Sequence, residues 1–197
     1  MRDRPYHHGA LREALLEAGF EAARVHGRAG IGIRELAKQV GVSPTAAYRH
    51  FPSREHLVAA VAQRARERSA TGMQVAMDAI RVDDPAERAW ARFLACGRAY
   101  VDFALDEPAL FETGFPGFAP PGRPDDPDAW VLLVGCLADL AALGELREVD
   151  TQAAAVFAWA AVHGLSGILS GPQAPDTLGR AVLTDEVLDA VRRGLRA

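Results

Sequence analysis

The sequence predicts an all-α protein built from two domains. Apolar residues recur along it at the helical spacing of three and four positions, and no segment alternates with a period of two. Basic residues are concentrated at the start: residues 1–70 contain 12 Lys and Arg against 7 Asp and Glu, whereas residues 71–197 contain 10 against 19. We therefore expect a basic N-terminal domain at residues 1–62 that suits an anionic partner, and a C-terminal domain at residues 63–197.

Glycine and Ser-Pro signals divide the first third into four predicted helices. The first, Gly9–His26, has apolar residues every three or four positions and ends at glycines. The second spans IGIRELAKQV and stops at Gly41, a residue that enters the left-handed region easily. Ser43 and Pro44 are the N-cap and first-turn signals of a third helix. A longer fourth helix is expected to begin after Ser53 and to contain the domain boundary.

The remaining sequence predicts five further helices. They are expected at Asp84–Leu105, around the run LFET, and at Trp130–Leu143, Thr151–Leu169 and Asp185–Leu195, with a proline-rich loop between Pro116 and Pro127.

Composition excludes several classes of protein. Apolar residues make up 49% of the 197, enough for a buried core. No stretch has the roughly 20 uninterrupted apolar residues of a membrane span, and the start lacks a secretory signal, so we expect a cytoplasmic protein without membrane contact. Cys96 and Cys136 have neither CxxC spacing nor a metal-ligating partner in the sequence; we expect buried, reduced thiols, no metal and no cofactor.

The second and third predicted helices, joined by the turn GVS, have the arrangement of a helix-turn-helix, whose second helix enters the major groove of DNA. Thr45 and Arg49 would read base edges, while Tyr48, His50 and Arg54 would contact phosphates. A three-helix bundle with a solvated basic face is the alternative. The candidate DNA-binding residues are Arg34, Ser43, Pro44, Thr45, Ala46, Tyr48, Arg49, His50 and Arg54. Arg2 and Arg4 form either a minor-groove arm or a solvated tail.

The N-terminal run closely resembles the DNA-binding domain of the tetracycline-repressor (TetR) family over residues 6–62. The ordered elements R-E-L-A, G-V-S, A-Y-R-H-F and S-R-E-x-L carry this resemblance. It implies a homodimer that represses from a palindromic operator until a small effector releases it. By position, Thr45, Tyr48 and His50 match the family's recognition-helix contacts. Arg54 matches a phosphate contact, whereas Gly32 stands where the family often has a capping Thr or Ser. A transcriptional activator, or a DNA binder without a ligand, remains an alternative.

The run FAWAAVHGLSGILSG is similar to the Trp-His-Gly signature of one TetR subgroup's regulatory domain, matched at Trp159, His163 and Gly164. The resemblance implies that the last two helices pair with a second copy in a four-helix bundle. That bundle would use residues 151–169 together with Val187, Leu188, Val191 and Leu195. Alternatively, the glycines of this run serve packing within the chain.

Apolar and aromatic residues of the C-terminal domain are candidates for a cavity that binds a small apolar or aromatic effector, although aromatics at helical spacing usually just pack in the core. They are Met73, Met77, Trp90, Phe93, Leu94, Tyr100, Phe111, Phe115, Trp130, Cys136, Trp159 and His163. An enzyme that uses His163 with Asp139 or Glu112 is the remaining alternative. His163 has no visible nucleophile partner, so we do not expect an enzyme.

Overall fold

The computed structural model describes residues 8–117, 128–172 and 174–197. These residues form nine α-helices and one 3-10 turn, with no strand among them, which confirms the predicted all-α class. The helices are α1 (His8–His26), α2 (Ile33–Val40), α3 (Pro44–His50), α4 (Arg54–Asp78), α5 (Pro85–Asp106), α6 (Pro108–Gly114), α7 (Ala129–Ala142), α8 (Thr151–Ser170) and α9 (Thr177–Leu195). Arg2, Arg4 and most of the predicted proline-rich loop lie outside the described residues.

The chain divides into two compact units. Unit 1 consists of the chain up to Ala65 together with Ala109–Pro116, and unit 2 of Arg66–Pro108 together with Gly117–Ala197. Helix α4 therefore contributes its first half to unit 1 and its second half to unit 2. Nearly all of α6 packs in unit 1, although its neighbours in the sequence belong to unit 2.

Helices α1, α2 and α3 pack against one another in unit 1, and local signals set their ends. Helix α2 closes at Gly41, which adopts the left-handed conformation with φ of 79° and directs its N–H to the carbonyls of Ala37 and Lys38. Ser43 Oγ then accepts a hydrogen bond from the Ala46 N–H at 3.2 Å, which caps α3. The turn between α2 and α3 is therefore specified by two residues, as the sequence predicts.

Unit 2 is built around α5, which packs against α7, α8 and α9. Helix α9 begins at Thr177, eight residues before the expected start at Asp185, so that expectation was wrong. The Asp176 carboxylate accepts a hydrogen bond from the Gly179 N–H at 2.7 Å and caps the helix at this earlier point. Because Gly179 lies in the first turn, it does not interrupt the helix.

The sequence predicts no segment apolar enough to span a membrane, but helix α8 is long and apolar enough to do so. The helix has 20 residues, and an 18-residue window of it has a mean hydropathy of 1.5, enough by length and composition alone to cross a bilayer. One face of the helix, including Ala158, Trp159 and Leu165, is buried inside unit 2. A helix in the core of a globular unit can be equally long and apolar, so the length and hydropathy of α8 are only weak evidence for a membrane span.

Candidate nucleic-acid interface and effector cavity

Helix α3 presents one face to the core of unit 1 and the other to solvent. Ala47 is fully buried, and Phe51, just after the helix, is buried with the Arg12 guanidinium 5.1 Å from its ring centroid. Thr45, Tyr48 and Arg49 are exposed, and their spacing of three and four residues places them on one side of the helix. A hydroxyl, a phenol and a guanidinium thus form one hydrogen-bonding surface that a nucleic acid can approach.

Apart from Arg54, the other predicted DNA-binding residues lie on α3 itself, at its start, or on the preceding helix α2. Ser43 and Pro44 are exposed at the start of α3, whereas Ala46 and His50 are half-buried. On α2, Arg34 and Lys38 are exposed one helical turn apart. Lys38 was not among the predicted contacts; its position one turn after Arg34 on the exposed side of α2 is the signal that could have identified it.

The Arg54 side chain has a structural partner that the sequence did not suggest. Its Nε donates to the carbonyl oxygen of Ile31 at 2.8 Å, and its Nη2 donates to that of Arg28. The Arg28 carbonyl belongs to the 3-10 turn (Gly27–Gly30), and the Ile31 carbonyl to the segment that joins this turn to α2. Because a guanidinium carries five N–H donors, Arg54 can hold this segment and still offer a donor to a phosphate. The latter role remains a prediction.

Unit 2 contains a narrow, apolar cavity. It encloses about 20 Å³ and is lined from five helices, α4, α5, α7, α8 and α9. Four of the predicted effector-binding residues line it, namely Met73, Phe93, Tyr100 and Trp159. The sequence did not assign the remaining lining residues to a cavity; they are Cys96, Gly97, Ala129, Leu133, Ala158, Val162, Leu188 and Val191. Most of these are small or aliphatic, and nothing in the sequence distinguishes them from core.

The other predicted effector-binding residues do not line this cavity. Phe111 and Phe115 belong to unit 1, where their ring centroids lie 5.3 Å apart. Trp90 is buried, and its Nε1 donates to Glu145 at 2.9 Å. Met77 and Cys136 are buried elsewhere in unit 2, whereas Leu94, Trp130 and His163 are half-buried in the same unit.

A polar group adjoins the apolar cavity at Tyr100. The Tyr100 hydroxyl lies 2.9 Å from His163 Nδ1, and the Trp159 and His163 rings stack with an interplanar angle of 10°. Burial lowers the pKa of His163, and a hydrogen bond with the Gly117 backbone partly offsets this. Burial, followed by the negative charge of Asp128, raises the pKa of the Tyr100 phenol. Tyr100 therefore keeps its proton and His163 favours the neutral form near neutral pH.

Helices α8 and α9 leave apolar side chains exposed on the outside of unit 2. Phe157 and Ile168, which share one face of α8, are 48% and 67% exposed. On the same side, added Cβ atoms at Gly164 and Gly167 would meet no described atom within 4 Å, so these two glycines do not serve packing within the described chain. On α9, Leu183 is a further exposed apolar side chain.

The residues of α9 that were expected at a dimer interface lie elsewhere. Leu188, Val191 and Leu195 are 3%, 2% and 2% exposed within the chain itself, so their assignment to an outer surface was wrong. They pack in the core of unit 2 because α9 turns this face toward α5 and α8. Val187 is half-buried.

Two family models match the chain. The model for bacterial regulatory proteins of the tetR family matches residues 15–61, and the model for the tetracyclin repressor-like C-terminal domain matches residues 93–191, half of the chain. Together they cover the helix-turn-helix and most of unit 2. No curated protein matches the chain in sequence.

Several solved structures resemble this chain over nearly its whole length. A protein of unknown function from Rhodococcus sp. RHA1 is 28% identical, with a TM-score of 0.77 over 99% of this chain and 100% of that chain. A TetR-family transcriptional regulator from Pectobacterium atrosepticum is 20% identical, with a TM-score of 0.67 over 100% and 98%. A structure that describes the molecular basis for control of antibiotic production by bacterial hormones is 26% identical, with a TM-score of 0.58 over 95% of this chain and 98% of that chain. The chain therefore belongs to the TetR family of bacterial transcriptional regulators, and is a DNA-binding protein rather than an enzyme.

Proposed function

We propose that this regulator is a cytoplasmic repressor that binds a palindromic operator as a homodimer and is released by a small apolar or aromatic effector. The exposed face of α3 carries the proposal, because Thr45, Tyr48 and Arg49 project together from a short helix whose opposite face is buried. We assign sequence reading to Thr45 and Arg49, and phosphate contacts to Tyr48 and to the neighbouring His50. Bound across the promoter, such a dimer would exclude polymerase.

Salt dependence and one matched pair of variants test the DNA contact. We would select a duplex from a randomised pool with the wild-type protein and measure its binding by fluorescence anisotropy between 50 and 200 mM salt, roughly the range over which counterion release is steep. Arg49→Ala is expected to weaken binding about 10-fold or more. Arg24→Ala, which removes an exposed arginine paired with Glu21 at the end of α1, is expected to leave it unchanged. Equal losses in the two variants, or no selected sequence, would refute the assignment.

The homodimer is supported by the exposed apolar face of α8 and α9. Monomeric proteins seldom leave a large apolar patch in water, and Gly164 and Gly167, whose Cβ positions are open, would let a second helix approach closely. We propose that Phe157, Ile168 and Leu183 meet the same face of a second copy, in place of the α9 residues that proved to be core.

Light scattering after size exclusion tests this interface. Ile168→Glu should convert the dimer to a monomer, because the buried face of the dimer would then carry two like charges. Val75→Glu is the matched control, since Val75 on α4 is 66% exposed and Ile168 is 67% exposed. A monomeric wild type, or a dimer that tolerates Ile168→Glu, would count against the proposal.

The cavity of unit 2 is the proposed effector site. Its walls are apolar, and Tyr100 brings the only phenol to its lining, so an uncharged apolar or aromatic molecule suits it better than an ion. At about 20 Å³ the space is comparable to one water molecule, and a larger effector must push α5, α7 and α8 apart as it enters. This displacement is the event that we propose weakens DNA binding.

A cavity-filling variant tests effector binding with the uncharged probe N-phenyl-1-naphthylamine. Its fluorescence should rise on binding to wild type, and Ala158→Leu should abolish the rise because Ala158 lines the cavity. Ala160→Leu, two residues along α8 and absent from the lining, is the control. If the two variants bind the probe equally well, the cavity is not its site.

The small volume of the cavity also favours a second candidate function, a DNA binder of the same fold that needs no effector. Cavities that hold drug-sized ligands usually enclose roughly 300 Å³ or more. A library of apolar and aromatic compounds tests this alternative. If no compound shifts the thermal unfolding of the protein or releases it from the selected duplex, the protein binds DNA without an effector.

A further inference from the structure

Cys96 and Cys136, forty positions apart in the sequence, are neighbours in unit 2. Cys96 lies on α5 and Cys136 on α7, two helices that pack directly against each other. Both are free and buried, and each thiol shifts the pKa of the other, chiefly through a side-chain hydrogen bond between them. The sequence predicted buried thiols correctly but gave no sign that the two would meet.

Two spaces of unit 2 lie near the thiol pair. Cys96 itself lines the apolar cavity. An open groove of about 490 Å³, which neither cysteine lines, is bordered by Arg92 and Asp139 of the same two helices. Arg92 stands one helical turn before Cys96 on α5, and Asp139 one turn after Cys136 on α7. A small molecule in the cavity is therefore next to Cys96, and the groove begins about one helical turn from the pair along each helix.

The surroundings of the pair favour a thiolate over a bound cation. The hydrogen bond from Cys96 lowers the pKa of the Cys136 thiol and the positive charge of Arg92 acts in the same direction, whereas burial and the negative charge of Asp139 oppose them. Cys96, which donates that bond and is more deeply buried, has a raised pKa. Arg92 is fixed near the pair by hydrogen bonds to the Met77 carbonyl at 3.1 Å and to Asp78 at 3.3 Å. Its charge opposes a metal ion and supports a nucleophilic sulfur.

We propose that Cys96 and Cys136 are a modification site, an oxidisable dithiol that a small uncharged hydroperoxide converts to an intrachain disulfide. The Cys136 thiolate attacks the peroxide, so that an S–O bond forms, the O–O bond breaks, and water or an alcohol leaves after protonation. Cys96 then attacks the sulfenic sulfur, the S–S bond forms, and the S–O bond breaks with release of water. The two thiols lose two electrons and the peroxide gains them. Because the cavity admits about one water-sized molecule, hydrogen peroxide is the best fit among peroxides.

Mass spectrometry of the whole protein tests this chemistry without any DNA measurement. Reduced, folded wild type is treated with hydrogen peroxide in a chelator, unfolded, and labelled with N-ethylmaleimide. We expect a chain that has lost two hydrogens and takes no label, with Cys96 joined to Cys136 in the peptide map. The same peroxide should oxidise urea-unfolded protein several-fold more slowly, because the pair is then dispersed. Two labels on the peroxide-treated folded protein, or bonds between chains, would overturn the proposal.

Two sets of variants test the roles of the two cysteines and of Arg92. In Cys96→Ser, dimedone should capture a sulfenic acid at Cys136, whereas Cys136→Ser should give little capture at Cys96. Arg92→Gln should slow disulfide formation several-fold, and Arg88→Gln, which alters the same groove without being among the charges that act on the thiols, should not. Equal capture in both cysteine variants, or equal rates in both arginine variants, would refute these roles. The result is independent of the proposed repressor function, since a chain that binds no DNA could still show it.

Discussion

The turn between α2 and α3 offers the sharpest test of how the sequence specifies the DNA-binding surface. Gly41 closes α2 at φ of 79°, and an added Cβ there would meet no described atom within 4 Å. Gly41→Ala should therefore be destabilising through backbone conformation alone, since there is no neighbour for the methyl group to displace. The left-handed conformation costs a residue with a Cβ about 1–2 kcal/mol. Reduced entropy of the unfolded chain returns about 0.4–1 kcal/mol, which leaves a net loss of about 1 kcal/mol.

Gly72 provides a matched control. It also has no described atom within 4 Å of an added Cβ, but it lies inside α4 with ordinary helical geometry. Gly72→Ala should stabilise the protein by about 1 kcal/mol, because alanine is the better helix former. The two variants should therefore differ by about 2 kcal/mol, or roughly 4–8 °C in Tm for a protein of this size.

Urea and thermal melts followed by two signals separate the units. All three tryptophans, Trp90, Trp130 and Trp159, belong to unit 2, so their fluorescence reports that unit, whereas far-UV circular dichroism reports all helices. Gly41→Ala should lower the midpoint of the unfolding transition that circular dichroism reports. Gly41→Asn should recover part of the loss in stability, because asparagine tolerates this conformation. A Gly41→Ala variant as stable as the wild type would refute the requirement for a left-handed residue at this turn.

Three further predictions concern individual contacts. Arg54→Ala should destabilise unit 1 by about 1–2 kcal/mol in urea melts, because the carbonyls that Arg54 bonds lose a charged donor; a change below about 0.3 kcal/mol would contradict this. Gly97→Ala would place a Cβ 2.7 Å from Leu188 Cδ2, so it should be less harmful in combination with Leu188→Ala than alone; strict additivity in a double-mutant cycle would argue against the contact. Because His163 has a lowered pKa in the folded chain, the unfolded chain binds more protons below about pH 7 and stability should fall as the pH is lowered. His163→Gln should flatten that fall, and an unchanged slope would show that His163 does not cause it.

Local features of this fold could be predicted from sequence because they depend on a few adjacent residues. The caps at Gly41 and Ser43 follow from backbone preferences and short hydrogen bonds, and α3 begins and ends where these residues indicate. The start of α9 was misplaced, since the Asp176 cap was overlooked and Gly179 looked like a helix breaker. The error was still a local one.

Properties that depend on packing between distant segments were beyond sequence reasoning. Leu188 was expected on an outer surface because periodicity identifies an apolar face without saying whether the same chain or a second copy covers it. The Arg54 bonds to carbonyls more than 20 residues away, and the meeting of Cys96 with Cys136, need the three-dimensional arrangement of whole helices. For the candidate site, therefore, sequence identifies the exposed face of α3 but only part of the cavity wall.

The membership of Ala109–Pro116 in unit 1 has a practical consequence for anyone who wishes to isolate the DNA-binding part. Leu110 is completely buried, and an added Cβ at Gly27 would come within 3.9 Å of the Ala109 carbonyl oxygen. A fragment cut after Ala65 would leave this segment behind and open an apolar surface on what remains. Because the backbone passes between the two units at three points, a single protease cut cannot release a complete copy of either one.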